Sequence, residues 1–323
     1  YFKSLYQVPF HDKAEIGTKD IGDVEWNPSG TRIGYSRMNN TLIIKEFRNQ
    51  HSSQVLNTYI IDKPHANPIE EMSWHPFSDS TLITVGRDEY VKIWNTKTLK
   101  LIYQIKIKGN CYLVKYSNDG RFIMTTSSYY NEKIKSNEYY LSLVNVKRGY
   151  EVVRVHKLEQ KIYDSIWTNS SNAIIFGCLD GSVPMYKVDE ETGDIVKIFS
   201  FEGHMSTVNC LAFDTKGRYL VTGGHEGVIA IWSMKSLSCI KTLAMVDEPV
   251  MSLDLSREGS YCVATFQGNE CGRVFHIDES EETFKIEKNR STNNAFAKVR
   301  FHPKQSTFVY TTYDGVLTNL MKR

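Results

Sequence analysis

The sequence predicts an all-β protein made of seven like units closed into a ring. Three observations carry that prediction. Apolar and polar residues alternate through short runs bounded by Gly, Asn, Asp and Pro, the period of half-buried strands. Tyr and Phe are plentiful, at 19 and 15, and many fall in these alternating runs. One pattern, an apolar residue, one residue, an anchor that is usually aromatic, a turn and a second apolar run, recurs at a nearly constant interval.

In chain order the units read DVEWNPSGTRIGYS (23–36), EMSWHPFSDSTLITVG (71–86), YLVKYSNDGRFIMTT (112–126) and YDSIWTNSSNAIIFG (163–177). They continue as NCLAFDTKGRYLVTG (209–223), MSLDLSREGSYCVAT (251–265) and FAKVRFHPKQSTFVYTT (296–312). The anchors Trp26, Trp74, Tyr116, Trp167, Phe213, Leu255 and Phe301 are 48, 42, 51, 46, 42 and 46 residues apart. Turn residues recur at matching places: Pro follows Asn27, His75 and His302, and Gly30, Gly120, Gly217 and Gly259 fall in the turns that follow. His75 and His302 therefore read as turn residues rather than catalytic bases. Thirteen or fourteen residues beyond an anchor stands a short polar turn residue, Asn39, Asp88, Asp180, Glu226 or Asp314, and an apolar strand follows each. Asp88 with Trp94 is one instance of this second register, and such an acid fixes its turn by accepting local hydrogen bonds.

Alternation assigns faces to the first strand of each unit. The residues two before the anchors, Val24, Met72, Val114, Ser165, Leu211, Leu253 and Val299, should pack between neighbouring sheets. Those just before the anchors, Glu25, Ser73, Lys115, Ile166, Ala212, Asp254 and Arg300, should line a wet central channel. In a closed ring Asp254, Arg300 and Glu25 become consecutive and form a charge cluster. The last unit stops one strand short near VLTNLMKR, and FKSLYQV at the N-terminus has the alternation to supply its outer strand. The expectation is a single domain over residues 1–323, a seven-bladed β-propeller with strand 1–8 completing the last blade.

These residues resemble the WD40-repeat family. The stretch GHMSTVNCLAFDTKGRYLVTGGHEGVIAIW (203–232) has that family's Gly-His start, its turn and its terminal Trp. The resemblance places His204, Thr222, Glu226 and Trp232 on the family's hydrogen-bonded structural tetrad, with Glu226 in place of Asp. The other copies depart from the pattern: only one Gly-His is present, and Trp94 and Trp232 are followed by Asn95 and Ser233 rather than Asp. A narrower resemblance, carried by SGTRIGYSRMNNTL (29–42), MSWHPFSDSTLITVGRDEYVKIW (72–94) and GHEGVIAIWSMKSLSCI (224–240), is to the WD-repeat subunits of the THO/TREX complex. It implies a non-enzymatic nuclear scaffold bound to large helical THO subunits, in a complex that couples transcription to mRNA processing and export.

Composition narrows the function classes. A net charge of +2 is too balanced to indicate nucleic-acid binding by itself. Six cysteines without a CxxC pair read as reduced, mostly buried thiols of an intracellular protein. An opening tyrosine fits a segment of a longer polypeptide, and no apolar run is long enough to cross a membrane. No nucleophile elbow, P-loop, dinucleotide fingerprint or zinc spacing occurs, so neither a cofactor nor a metal is expected. The acidic run DESEE (278–282) reads as a solvated loop.

Basic residues gather in units two and three, from Lys92 to Lys161, with Tyr129, Tyr130, Tyr139 and Tyr140 among them. A weak, salt-sensitive RNA contact is the secondary expectation from that mixture. The spacing from Tyr116 to Glu138 is 22 residues, which marks an inserted loop over 127–140. Propeller partners dock where the first-strand starts converge with the turns between second and third strands. The candidates there are Arg37, Arg87, Tyr112, Tyr163, His225 and Tyr313, types enriched at interfaces. The competing readings are a substrate receptor of a ubiquitin ligase and a propeller enzyme. Against the receptor, Trp94-Asn95-Thr96-Lys97 and Trp232-Ser233-Met234-Lys235 lack the Asp and Arg that such receptors carry after Trp. Against the enzyme, no catalytic constellation is visible.

Overall fold

The computed structural model describes residues 5–9, 21–49, 54–244, 246–267, 272–278, 282–285, 296–312 and 317–322. Among the described residues lie 28 strands in seven antiparallel four-stranded sheets. Six sheets are simple meanders of four consecutive strands. The seventh is composite: Phe296–Phe301, Phe308–Thr312 and Leu317–Lys322 are joined by Leu5–Pro9, which pairs antiparallel with the last strand from Leu5↔Lys322 to Pro9↔Thr318.

The innermost strands are Ile21–Trp26, Glu71–Trp74, Asn110–Tyr116, Ile162–Trp167, Val208–Phe213, Val250–Leu255 and Phe296–Phe301. Each contacts the next, and the last contacts the first. The chain is thus an all-β propeller. Every anchor closes one of these strands, so the recurring interval in the sequence is the interval from one inner strand to the next.

The core sits between sheets, as the alternation requires. Val24, Met72, Val114 and Val299 are fully buried, and Ser165, Leu211 and Leu253 nearly so. One inter-sheet cluster joins Ile83, Val85, Val91 and Ile93 of the second sheet to Cys111, Val114, Tyr116 and Ile123 of the third. The residues just before the anchors are half-buried, except Ala212, which is buried; the channel lining is interrupted there.

Six of the seven inner strands carry a register shift near their start, and these bulges matter for the site. The residues skipped are Gly22 and Asp23, Tyr112, Tyr163, Asn209, Met251, and Ala297 with Lys298. A bulged residue has no cross-strand partner, so its side chain is free of the pleat.

Two expectations are corrected. The segment 127–140 is not a loop: Phe122–Asn131 and Ser136–Asn145 are paired ten-residue strands, so the insertion is a β-hairpin rising out of the third sheet. Its strands simply continue the alternation of the blade. Arg37 is buried at 8% exposure, with its guanidinium 5.9 Å from the Tyr35 ring centre, because all six residues of Arg32–Arg37 are covered. Tyr313 and Asp314 lie outside the described residues, as do Cys271 and Glu279, Ser280 and Glu281 of the acidic run.

Candidate functional site: the channel and its mouth

Inside the channel the inner strands are linked side chain to backbone. Asp23 accepts a hydrogen bond from the Met72 N–H (2.9 Å), Glu71 from Val114 (2.6 Å), Asp164 from Leu211 (2.8 Å) and Asp254 from Phe301 (2.5 Å). Each carboxylate thereby ties its sheet to the one that follows. At the ring junction Arg300 Nε lies 2.8 Å from Glu25 Oε2, and His302 Nε2 meets the Gly30 carbonyl at 2.9 Å. Gly30 has φ +72°, and a Cβ there would strike the His302 ring, so this turn needs glycine. His302 and His75 sit in equivalent turns, where Nδ1 of each accepts the N–H two residues on.

Burial pushes Asp254 up to about 6, against the pull of Arg300 and the Phe301 N–H. Burial also raises Glu71, although Lys115 Nζ is 2.8 Å away. These shifted acids are engaged by backbone N–H groups and so have a structural task. Among the described residues no group of three or more His, Cys, Asp or Glu converges for a metal.

A pH prediction follows from Asp254. Its folded value lies above the ordinary 3.8. Between these two values the native state holds more protons than the unfolded one, so this group's contribution to stability falls as pH rises from about 4 to about 6. The whole effect is at most ~3 kcal/mol. Asp254→Asn keeps an acceptor for Phe301 and removes the titration. Urea unfolding of both proteins should show the variant gaining on the wild type between pH 4.5 and 7.5. A constant difference across that range would refute the assignment.

At the face where the bulges lie, a cavity of about 680 Å³ opens at the channel mouth. Arg87, Tyr112 and Tyr163 all line it. Arg87 is exposed and pairs with Glu70 at 2.7 Å. Tyr112 and Tyr163 are the bulged residues of adjacent inner strands, and the Lys161 Nζ sits between them, 4.4 Å from the Tyr163 ring centre and 5.9 Å from that of Tyr112. Burial pushes the Tyr112 phenol up to about 12, so it stays a hydrogen-bond donor. His225 is exposed on the same face but not in the cavity; its N–H bonds the Thr207 carbonyl, beside Leu179. Asp180 caps its own turn, accepting from the Ser182 N–H at 3.0 Å and hydroxyl at 2.7 Å.

Several basic residues of the second and third sheets are paired. Lys157 meets Glu138, Lys106 meets Glu89, Arg154 meets Asp194, and Lys92 donates to the Pro64 carbonyl.

The fifth sheet holds a buried relay. The Trp232 indole N–H donates to Thr222 Oγ1 at 2.9 Å, Thr222 Oγ1 meets His204 Nε2 at 2.6 Å, and His204 Nδ1 meets Glu226 at 2.5 Å. A carboxylate only accepts, so His204 donates to Glu226 through Nδ1. The WD domain, G-beta repeat family model matches residues 195–233, a span that holds this whole relay. The chain carries a WD40 repeat. The WD40 unit is cut across sheets: it runs from Ile195–Phe201, the outer strand of the fourth sheet, to Ile229–Ser233, the third strand of the fifth.

The chain holds a second relay that the sequence pattern had not revealed. His65 Nε2 lies 2.8 Å from Thr84 Oγ1, which accepts from the Trp94 indole at 2.9 Å, and His65 Nδ1 lies 2.9 Å from Asp88. Burial works to raise Asp88, but hydrogen bonds from His65 and the Ala66 and Tyr90 N–H groups hold it below the ordinary carboxylate value. Pro64 replaces the glycine that flags such a histidine. The spacing was a usable signal: His to Thr is 19 residues here and 18 in the fifth sheet, and Thr to Trp is 10 in both.

A second family model, Eukaryotic translation initiation factor eIF2A, matches residues 1–140. Among curated relatives, WD repeat-containing protein AAC3 of Dictyostelium discoideum is 25% identical over 267 residues, covering 75% of this chain and 54% of that protein. The chain thus corresponds to about half the length of that relative. THO complex subunit 3 of Arabidopsis thaliana is 18% identical over 313 residues, covering 97% of this chain and 91% of the relative. Protein TEX1 of Saccharomyces cerevisiae is 22% identical over 321 residues, covering 94% and 72%. The similarity to WD-repeat and THO-subunit relatives thus runs over most of the chain, at 18–25% identity.

Proposed function

We propose that this chain works as one seven-bladed domain over residues 1–323 that docks protein partners on the face carrying the inner-strand bulges. The observation that carries this is the composition of that face. Met38, Leu179 and Met205 are exposed at 52%, 48% and 95%, and Arg87 and His225 stand among them in the loops of the same face. Methionine, arginine and aromatic side chains supply adaptable contact area at low cost to the scaffold beneath. Among the described residues, the cavity and its surrounding loops hold no arrangement of nucleophile, base and oxyanion donors.

The finer reading is a non-enzymatic nuclear subunit of a THO/TREX-type assembly, bound to large helical subunits and serving transcription-coupled mRNP assembly and export. Its support is end-to-end similarity to THO complex subunit 3 and TEX1, which cover 97% and 94% of the chain. A ubiquitin-ligase substrate receptor is the alternative. It is weakened at Asn95, whose side chain caps the Lys97 and Thr98 N–H groups within the turn after Trp94.

Affinity purification from nuclear extract with mass spectrometry tests the proposal. Large helical THO subunits should co-purify with the wild-type chain. Arg87→Glu combined with Met205→Asp should cut their recovery at least tenfold while leaving the melting temperature within about 2 °C, because both side chains are exposed. Recovery of a ligase adaptor instead would favour the alternative, and unchanged recovery by the double variant would remove this face from the docking role.

A further inference from the structure

We propose that the channel mouth and the inserted hairpin together form a binding cleft for an unpaired nucleic-acid strand. The inference rests on the reading of this face as a binding face and adds a second class of ligand to it. The hairpin, which the protein-docking role leaves unused, supplies one wall.

Register decides which hairpin residues face the cavity. Tyr139 pairs with Ser128 and Asn137 with Tyr130, so these four share one side of the ribbon. Ser128, Asn137 and Tyr139 line the cavity. The other side holds Tyr129, Glu138 and Tyr140, and is occupied: Lys108 Nζ donates to Tyr140 Oη at 2.6 Å and lies 5.5 Å from the Tyr129 ring centre, while Lys157 pairs with Glu138. Beside the hairpin stand the bulged Tyr112 and Tyr163, with Lys161 between them, and Lys298 of the seventh sheet also lines the cavity. The cavity thus has three tyrosines, two amides (Asn110 and Asn137), and the cations Lys161, Lys298 and Arg87 against one acid, Glu70.

This inventory selects the ligand. An acidic peptide would use the cations and leave the aromatic faces idle. A single strand uses both, with phosphates on Lys161 and Lys298, bases stacked on tyrosine, and base edges within reach of amide and hydroxyl groups. A duplex hides its base faces and gains only the charge term. Phosphate contacts from the two lysines give a salt dependence of roughly −1.4 in log–log slope for a single strand.

Fluorescence anisotropy with labelled oligouridine and the whole 323-residue chain tests the cleft. Binding should be tighter than to a duplex of equal length and weaken about tenfold between about 50 and 200 mM salt. Tyr139→Ala should weaken it about tenfold, while Tyr139→Phe, which keeps the ring, retains it. Lys161→Gln should lower the salt slope by about 0.7. No binding up to about 100 µM, the weak end of non-specific affinity, would overturn the proposal. So would equal affinity for duplex, indifference to both Tyr139→Ala and Lys161→Gln, or displacement of the RNA by an equal concentration of polyglutamate. Normal partner capture by a chain that fails these tests would sink the cleft alone and leave the docking role standing.

Discussion

Deleting residues 1–9 should lower the melting temperature by roughly 10 °C, far more than nine terminal residues ordinarily contribute. The physical reason is topological. Leu5–Pro9 is the outer strand of a sheet whose other three strands come from the far end of the chain, and it pairs over five positions with Leu317–Lys322. Removing it strips the backbone hydrogen bonds of one ladder and turns the last strand into an open edge. The loss spreads, because the seventh sheet meets the first through Arg300, His302 and Val309 on one side and Trp26, Glu25 and Gly30 on the other. A cost of about 5 kcal/mol is expected for loss of the ladder and loosening of that joint, with aggregation through the exposed edge on heating. Differential scanning calorimetry measures it. A peptide of residues 1–9 added in excess should restore part of the shift, since it can refill the ladder. A deletion variant that melts within about 2 °C of the full chain would show that the ring does not depend on its composite sheet.

The second large effect lies in the buried relays. Thr222→Val preserves shape and volume but removes the hydroxyl that both Trp232 and His204 use. Two buried polar groups are then left without a partner, at a cost of about 2–4 kcal/mol. Thr84→Val should do the same to His65 and Trp94. The relays lie in the second and fifth sheets, with no residue in common, so the double variant should lose the sum of the two. Urea unfolding of the three variants checks this. If Thr222→Val costs less than about 0.5 kcal/mol, the relay is an ornament of the fold rather than a support.

Much of the architecture was legible because propeller units are local. Each anchor, each turn and each alternating run is specified within about fifty residues of chain, and a repeated signal reinforces itself. His204, Thr222, Glu226 and Trp232 were legible through the resemblance to the WD40 family, and the pairing of Arg300 with Glu25 followed from the alternation once ring closure made them neighbours. His65 escaped because proline stands before it, although its distances to Thr84 and Trp94 repeat those of the fifth sheet.

The sequence alone determined the alternation of the strands, the unit length, and the need for a terminal strand to finish the last sheet, because backbone pairing and the burial of alternate residues are periodic and local. Only the tertiary structure decided which side chains meet at the mouth. A bulge shifts register by a residue or two and frees Tyr112 and Tyr163 from their sheets, while full coverage of Arg32–Arg37 buries Arg37 where its position in the unit pointed to the surface. The hairpin over 127–140 was legible as extra length, but its direction, and so the wall it builds beside the channel, came from pairing that no single strand specifies.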